Sequence, residues 1–248
     1  MPHIRLDGGY RTSLPRFRSG AGTPDAGSML IELSHVIRAG METYPGFPGP
    51  EITPFLTHET STGRYAPGTS FAIGRISLIG NTGTYVDSPA HRYAEGADLS
   101  GLPLDKLADL PGLVVRIADG ATAIDRDLLL ADGRSVAGHA VLVHTGWDRH
   151  FGTAAYGAGG HPYLTGDAVD WLVTQGAALV GIDSVNIDDT SGGVRPAHSG
   201  LLAAGIPIVE HLTGLGALPL TGFRFHAAPP MVAGMTSFPV RAYAVVES

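Results

Sequence analysis

The chain contains no cysteine. Disulfides, thiolate metal centres and a cysteine nucleophile are therefore excluded, and any metal must be held by His, Asp or Glu. No apolar run approaches the roughly 20 residues that a membrane-spanning helix needs. The opening stretch, MPHIRLDGGYRTSLPRFRSG, lacks the apolar centre of a secretion signal. A cytoplasmic location is the expectation. Lys and Arg are few, 16 against 23 Asp and Glu, and they form no run. The resulting net charge of −7 serves solubility and argues against a nucleic-acid partner. Gly-x-Ser-x-Gly, a phosphate loop and a dinucleotide fingerprint are all missing, which removes the serine-hydrolase and nucleotide-binding readings.

What is present points to a strand-rich α/β protein. Hydrophobic residues make up 44% of the 248, enough for a sizeable core, while Gly 35 and Pro 18 are high for a helical bundle. Residues 1–28 are rich in Gly, Arg, Ser and Pro without a clear period. They read as a flexible extension, or as an arm packed on a partner subunit. Strands are expected at 30–37, 72–79, 112–118, 140–144, 177–182, 207–211, 223–227 and 240–246. Short helices are expected at 104–110, 125–131 and 199–204. A longer one at 165–175 has Thr165 to cap it and Gly176 to end it. No linker or internal repeat divides residues 29–248, so one mixed α/β domain is predicted.

The densest chemistry lies in residues 81–93, NTGTYVDSPAHRY. Asp87 and His91 sit in a segment that Gly83 frees and Pro89 fixes, as in a rigid loop after a strand. Two further elements carry polar side chains of the same kind: Arg195-Pro196-Ala197-His198, and Pro207-Ile208-Val209-Glu210-His211. Asp87, His198 and Glu210 supply the oxygen and nitrogen donors that suit Zn²⁺ or Mn²⁺. His91 would then stand near the ion and move protons. The plainer reading is that Asp87 caps a turn and His198 caps a helix. Asn81 and Tyr85 stand where two more metal ligands are expected. Asp183 reads as a strand-end residue that caps a loop, and Asp188 is a further acidic candidate. His161 reads equally as a loop residue or a substrate contact. Trp147, Phe151, Tyr156 and Tyr163 are either an aromatic pocket wall or part of the core or a subunit interface.

These residues resemble the cyclase family of metal-dependent hydrolases, which includes kynurenine formamidases and isatin hydrolase. The family motif His-x-Gly-Thr-His-x-Asp-x-Pro-x-His is matched by residues 81–91, with Asn81 and Tyr85 in place of its first two histidines. Leu33-Ser34-His35, Tyr44-Pro45-Gly46, Thr145-Gly146-Trp147, Gly181-Ile182-Asp183-Ser184 and Pro239-Val240-Arg241-Ala242 also match, as does the spacing from His198 through Gly205-Ile206-Pro207 to Glu210. The resemblance runs from about Leu30 to Val246. It implies a swivelling β/β/α-type fold, a homodimer or homotetramer, and hydrolysis of a small amide, formamide, lactam or lactone by metal-activated water. It makes Asp87, His198 and Glu210 ligands of one Zn or Mn ion per chain, with His91 as the proton shuttle. Losing both imidazoles empties the other ion's position. Asn81 and Tyr85 then become substrate contacts, Tyr85 as a donor to the oxyanion, with Trp147 and His161 beside them. A metal-free lyase or cyclase using Tyr85 and His91, or a relative that only binds a small molecule, are the alternatives.

Overall fold

The computed structural model describes residues 27–130 and 133–247. The expected N-terminal extension lies almost wholly outside these residues. In chain order the strands are β1 (Met29–Glu32), β2 (Glu51–Leu56), β3 (Ile73–Ser77), β4 (Tyr85–Asp87), β5 (Leu110–Arg116), β6 (Ala123–Ile124), β7 (Ala140–His144), β8 (Tyr163–Leu164), β9 (Leu179–Ile182), β10 (Ile208–Glu210), β11 (Phe223–His226), β12 (Ser237–Pro239) and β13 (Tyr243–Val246). The helices are α1 (His58–Ser61), α2 (Arg126–Leu130), α3 (Gly166–Gln175) and α4 (Pro196–Ala203). The protein is mixed α/β and strand-rich, as its composition predicts.

Nine strands form one strongly curled sheet in the order β1-β13-β11-β5-β7-β9-β10-β4-β12. Its centre, β5-β7-β9-β10, is parallel, and antiparallel strands flank it on both sides. A parallel strand is covered on both faces, which explains the continuous apolar runs of β5, β7 and β9. Leu113, Val115, Val141, Val143, Val180 and Ile182 face a core shared with α3 and α4. Val114, Leu142 and Leu179 point into a second core with Val86, Val209, Leu212 and Phe225. The two cores lock the register, since a one-residue slip would exchange their side chains. Gly112 is needed where β5 meets β11: a Cβ there would lie 1.9 Å from the Phe223 ring.

Several expected boundaries move. Residues 85–87 are not loop. Tyr85–Asp87 is a buried strand between β10 and β12, because Val86 feeds the second core. The helix expected at 199–204 starts at Pro196, whose fixed φ suits a first helical position. The short helix expected at 104–110 shrinks to the 3₁₀ turn Leu104–Lys106, after which β5 begins at Leu110. The strand expected at 240–246 starts only at Tyr243 as β13, and a separate short strand, β12, precedes it. The hairpin β2–β3 stands apart from the nine-stranded sheet.

Candidate active site

Cross-strand register assembles the site. Tyr85 and Asp87 project to the same face of β4, with Val86 on the other. Glu210 of β10 lies opposite Tyr85, and Ser237 of β12 lies opposite Asp87. The Tyr85 phenol donates to Glu210 Oε2 at 2.5 Å, and the Ile187 amide donates to Oε1 at 2.7 Å. Ser237 Oγ donates to Asp87 Oδ1 at 2.5 Å and lies 2.9 Å from His91 Nδ1. Asp87 Oδ2 is buried without a hydrogen-bond partner. Gly83, at φ 64°, turns the chain into β4, and its amide donates to Thr43 Oγ1. A side chain there would be strained.

Helix α4 delivers His198 from the other side. Its first turn is capped by Asp188, which follows β9. The Ala197 amide donates to Asp188 Oδ1 at 2.6 Å, and the His198 amide to Oδ2 at 3.0 Å. The same Oδ2 is 2.6 Å from His198 Nδ1. A carboxylate only accepts, so Nδ1 carries the proton and Nε2 is the nitrogen turned toward the other acids. Nε2 lies 3.8 Å from Asp87 Oδ2 and 3.9 Å from Glu210 Oε2. These gaps are too long for hydrogen bonds. They are close to the spacing of two donors around one ion with bonds of about 2.0–2.2 Å.

The electrostatics favour a cation. Asp87, Asp188 and Glu210 are all buried around one imidazole. Burial pushes the Asp87 carboxyl up to about 6, against the pull of His198. Burial also raises Glu210, again partly offset by His198. For His198, burial acts downward, but the Asp188 hydrogen bond and then Glu210 and Asp87 outweigh it and lift the imidazole to about 9. Burial, then the proximity of His198, lowers His91. One imidazolium leaves the three acids with excess negative charge, which is costly away from water. A divalent ion would neutralise it, so these donors fit Zn²⁺ or Mn²⁺. Among the described residues, Asp87, His91 and His198 form a group whose ligand atoms lie within 4.8 Å of one another. Glu210 reaches only the His198 side of that group.

The other expected site residues are placed as follows. Asn81 hydrogen-bonds to Tyr85, and burial followed by Glu210 holds the Tyr85 phenol well above the ordinary 10. His161 is buried with Nε2 3.0 Å from the Asp188 carbonyl, so it backs the carboxylate that positions His198. Trp147 donates from its indole to the Tyr156 carbonyl at 3.1 Å. Phe151 and Tyr156, with Met41, Thr43 and Pro45, line a cavity of about 480 Å³. The Tyr156 hydroxyl meets His211 Nδ1 at 2.7 Å, directly after Glu210 in the chain. Asp183 accepts from Thr145 N, Thr145 Oγ1 and Gly146 N, the loop-capping arrangement expected of it. Sequence reasoning gave no role to Ser237. Its place is set by pairing between β12 and β4, and no local motif signals it.

The sequence profile described as "Putative cyclase" matches residues 31–189, well over half of the chain. The protein belongs to the cyclase family. Within the family it is similar to the kynurenine formamidase of Paracidovorax citrulli, at 26% identity over 223 residues covering 86% of this chain and 95% of that protein. It shares its fold with isatin hydrolase A from Labrenzia aggregata, a structure bound to benzyl benzoate, with a TM-score of 0.76 at 22% identity over 89% of this chain and 94% of that one. It also shares its fold with a predicted metal-dependent hydrolase from Bacillus stearothermophilus, with a TM-score of 0.69 at 23% identity over 90% and 100% of the two chains. No helix among the described residues is long and apolar enough to cross a membrane.

Proposed function

We propose that this cyclase-family protein hydrolyses a small carbonyl compound with a C–N or ester bond: a formamide, amide, lactam or lactone. It does so with one divalent ion, Zn or Mn, per chain. The observation that carries the reading is the pinning of His198. Asp188 fixes its Nδ1–H, so Nε2 is presented to the unpartnered Asp87 Oδ2 at 3.8 Å. In this reading Asp87, His198 and Glu210 hold the ion. The ion supplies Lewis acidity and a lowered pKa for water. Asn81 and Tyr85 replace the imidazoles of a second ion. Tyr85 steadies Glu210 through its hydrogen bond and carries its hydroxyl beside the reacting carbonyl.

The chain's own groups supply the rest. His91, at the more exposed rim, takes the proton from the attacking water and returns it to the leaving nitrogen or oxygen. The cavity walled by Phe151 and Tyr156 receives the apolar body of the substrate. Asn81, Trp147 and His161 bound the substrate region, His161 by backing Asp188. The kynurenine formamidase and isatin hydrolase relatives make aryl formamides and isatin the first compounds to assay.

The same reading includes a homodimer or homotetramer. The hairpin β2–β3 exposes Ile52, Phe55, Ile73 and Ile76. A two-stranded hairpin is marginal alone in water, and a second copy of the chain would cover that apolar surface.

The test is turnover by protein loaded with Zn²⁺ or Mn²⁺ against N-formylkynurenine, isatin and small lactones. Turnover that disappears in Asp87→Asn, His198→Ala and His91→Ala supports the proposal. Turnover equal in wild type and all three variants would sink it.

A further inference from the structure

We propose that Ser237 is a positioning residue that sets the tautomer of His91. This rests on the reading of His91 as the group that accepts a proton. The hydroxyl stands between two partners: Asp87 Oδ1 at 2.5 Å and His91 Nδ1 at 2.9 Å. Asp87 Oδ1 is 3.7 Å from the same imidazole nitrogen, too far for a direct hydrogen bond. The contact between the two side chains therefore runs through the serine.

A hydroxyl has one proton to give and lone pairs to receive with. An ionised Asp87 can only accept, so the serine proton goes to Asp87. Ser237 Oγ is then an acceptor toward His91, and Nδ1 must carry hydrogen. The neutral imidazole has one N–H, which leaves Nε2 with its lone pair. Which nitrogen of a histidine is basic is decided by the hydrogen bond at the other. Free histidine side chains favour the opposite tautomer, with hydrogen on Nε2. Ser237 thus holds His91 in its minority form, with the basic nitrogen turned away from the Ser–Asp pair.

The serine has the stability this role needs. It is buried, lies in β12, and is the register partner of Asp87. Gly80 packs on its backbone so closely that a Cβ at residue 80 would lie 2.3 Å from the Ser237 carbonyl oxygen. The relay also links proton acceptor and metal donor set. When His91 takes a proton at Nε2, the imidazolium keeps Nδ1–H on Ser237, and the serine dipole passes the stabilisation to Asp87. No atom moves beyond a hydrogen bond, so nothing must reorganise during turnover. Among the described residues, Ser237 is the side chain that hydrogen-bonds to His91.

The experiment is histidine-ring ¹⁵N–¹H correlation NMR on full-length protein at pH 8, with His91 assigned through a His91→Asn sample. At that pH a carboxylate is ordinarily ionised and an imidazole ordinarily neutral. The expected wild-type signature is a pyrrole-type Nδ1 and a pyridine-type Nε2 for His91. Ser237→Ala is expected to make the Nε2–H form dominant, and Ser237→Thr to restore the wild-type pattern. A wild-type His91 with hydrogen on Nε2 overturns the proposal whether or not any variant folds. An unchanged tautomer in folded Ser237→Ala overturns it equally. Zn²⁺ content of the same samples tests the hydrolase reading separately. A wild type that binds no zinc yet shows Nδ1–H defeats the hydrolase reading while the tautomer assignment stands.

Discussion

Asp188→Asn is the most informative single change behind the proposed metal donors, because Asp188 positions His198. The side chain keeps its size, but one oxygen becomes an NH₂ group. Asp188 accepts three hydrogen bonds, at 2.6, 3.0 and 2.6 Å, from Ala197 N, His198 N and His198 Nδ1. The amide oxygen can keep either the Ala197 bond or the two His198 bonds, and the NH₂ then faces the remaining donors. In either orientation a neutral amide holds the His198 Nδ1–H less firmly than the carboxylate does, so Nε2 becomes a weaker and less fixed metal donor. Losing such a partner of a ligating histidine typically costs 10–100-fold in metal affinity, about 1.4–2.8 kcal/mol. Stability without metal changes in two opposing directions. Charge-assisted bonds worth about 1.5–3 kcal/mol each become neutral bonds or are lost. Repulsion from buried Asp87 and Glu210 is relieved, but across longer distances. The short contacts win, and we expect a net loss of about 1–2 kcal/mol, or about 2–8 °C in Tm for a chain of this size. The assay is Zn²⁺ competition against a chromophoric chelator, with thermal melts of the chelator-treated protein alongside. Wild-type zinc affinity in a folded Asp188→Asn protein would refute the reasoning.

Two further outcomes follow from the geometry. His35 stacks on Phe151 at 3.6 Å with a buried, unpartnered Nε2, and burial lowers its pKa from the ordinary 6.5 to about 4, against a pull from Asp148. Below 6.5 the unfolded chain binds a proton that the folded one refuses, so this site removes stability as pH falls from about 6.5 to about 4 and is neutral above that window. Relative to His35→Phe, wild type should lose about 2–3 kcal/mol between pH 7.5 and 4, read from urea denaturation of both proteins at each pH; the lower end allows for partial solvent screening. Equal losses in the two proteins would show that His35 is protonated in the fold. On the hairpin, Ile52 and Ile76 are paired across β2 and β3 and both exposed. Ile52→Glu with Ile76→Glu should reduce the proposed dimer or tetramer to monomers in size-exclusion light scattering, and an unchanged mass would remove the hairpin from the proposed interface.

Much of the fold was legible in apolar patterning. The runs at 112–118, 140–144 and 177–182 became β5, β7 and β9, because central parallel strands must be apolar on both faces. Helix α3 follows its predicted span, and Gly176 ends it at φ 75°. The short strands were harder. β4 has three residues, and its Gly, Pro and Asp neighbours read as turn chemistry. Only its partners β10 and β12, more than a hundred residues later, make it a strand. The same distance hid Ser237. Asp188 was noted as an acid, but its hold on His198 needed the true start of α4 at Pro196, two residues before the histidine. Side chains with chemistry were visible one at a time, whereas their pairing was a matter of register.

The central claim is that this chain binds one divalent ion through Asp87 and His198 with Glu210 beside them. It is tested most directly by elemental analysis of purified, tag-free protein after incubation with Zn²⁺ and Mn²⁺ and removal of free metal, next to Asp87→Asn and His198→Ala. The expected result is about one ion per chain in wild type and none above background in either variant. Wild type without metal, or variants that retain it, would contradict the claim.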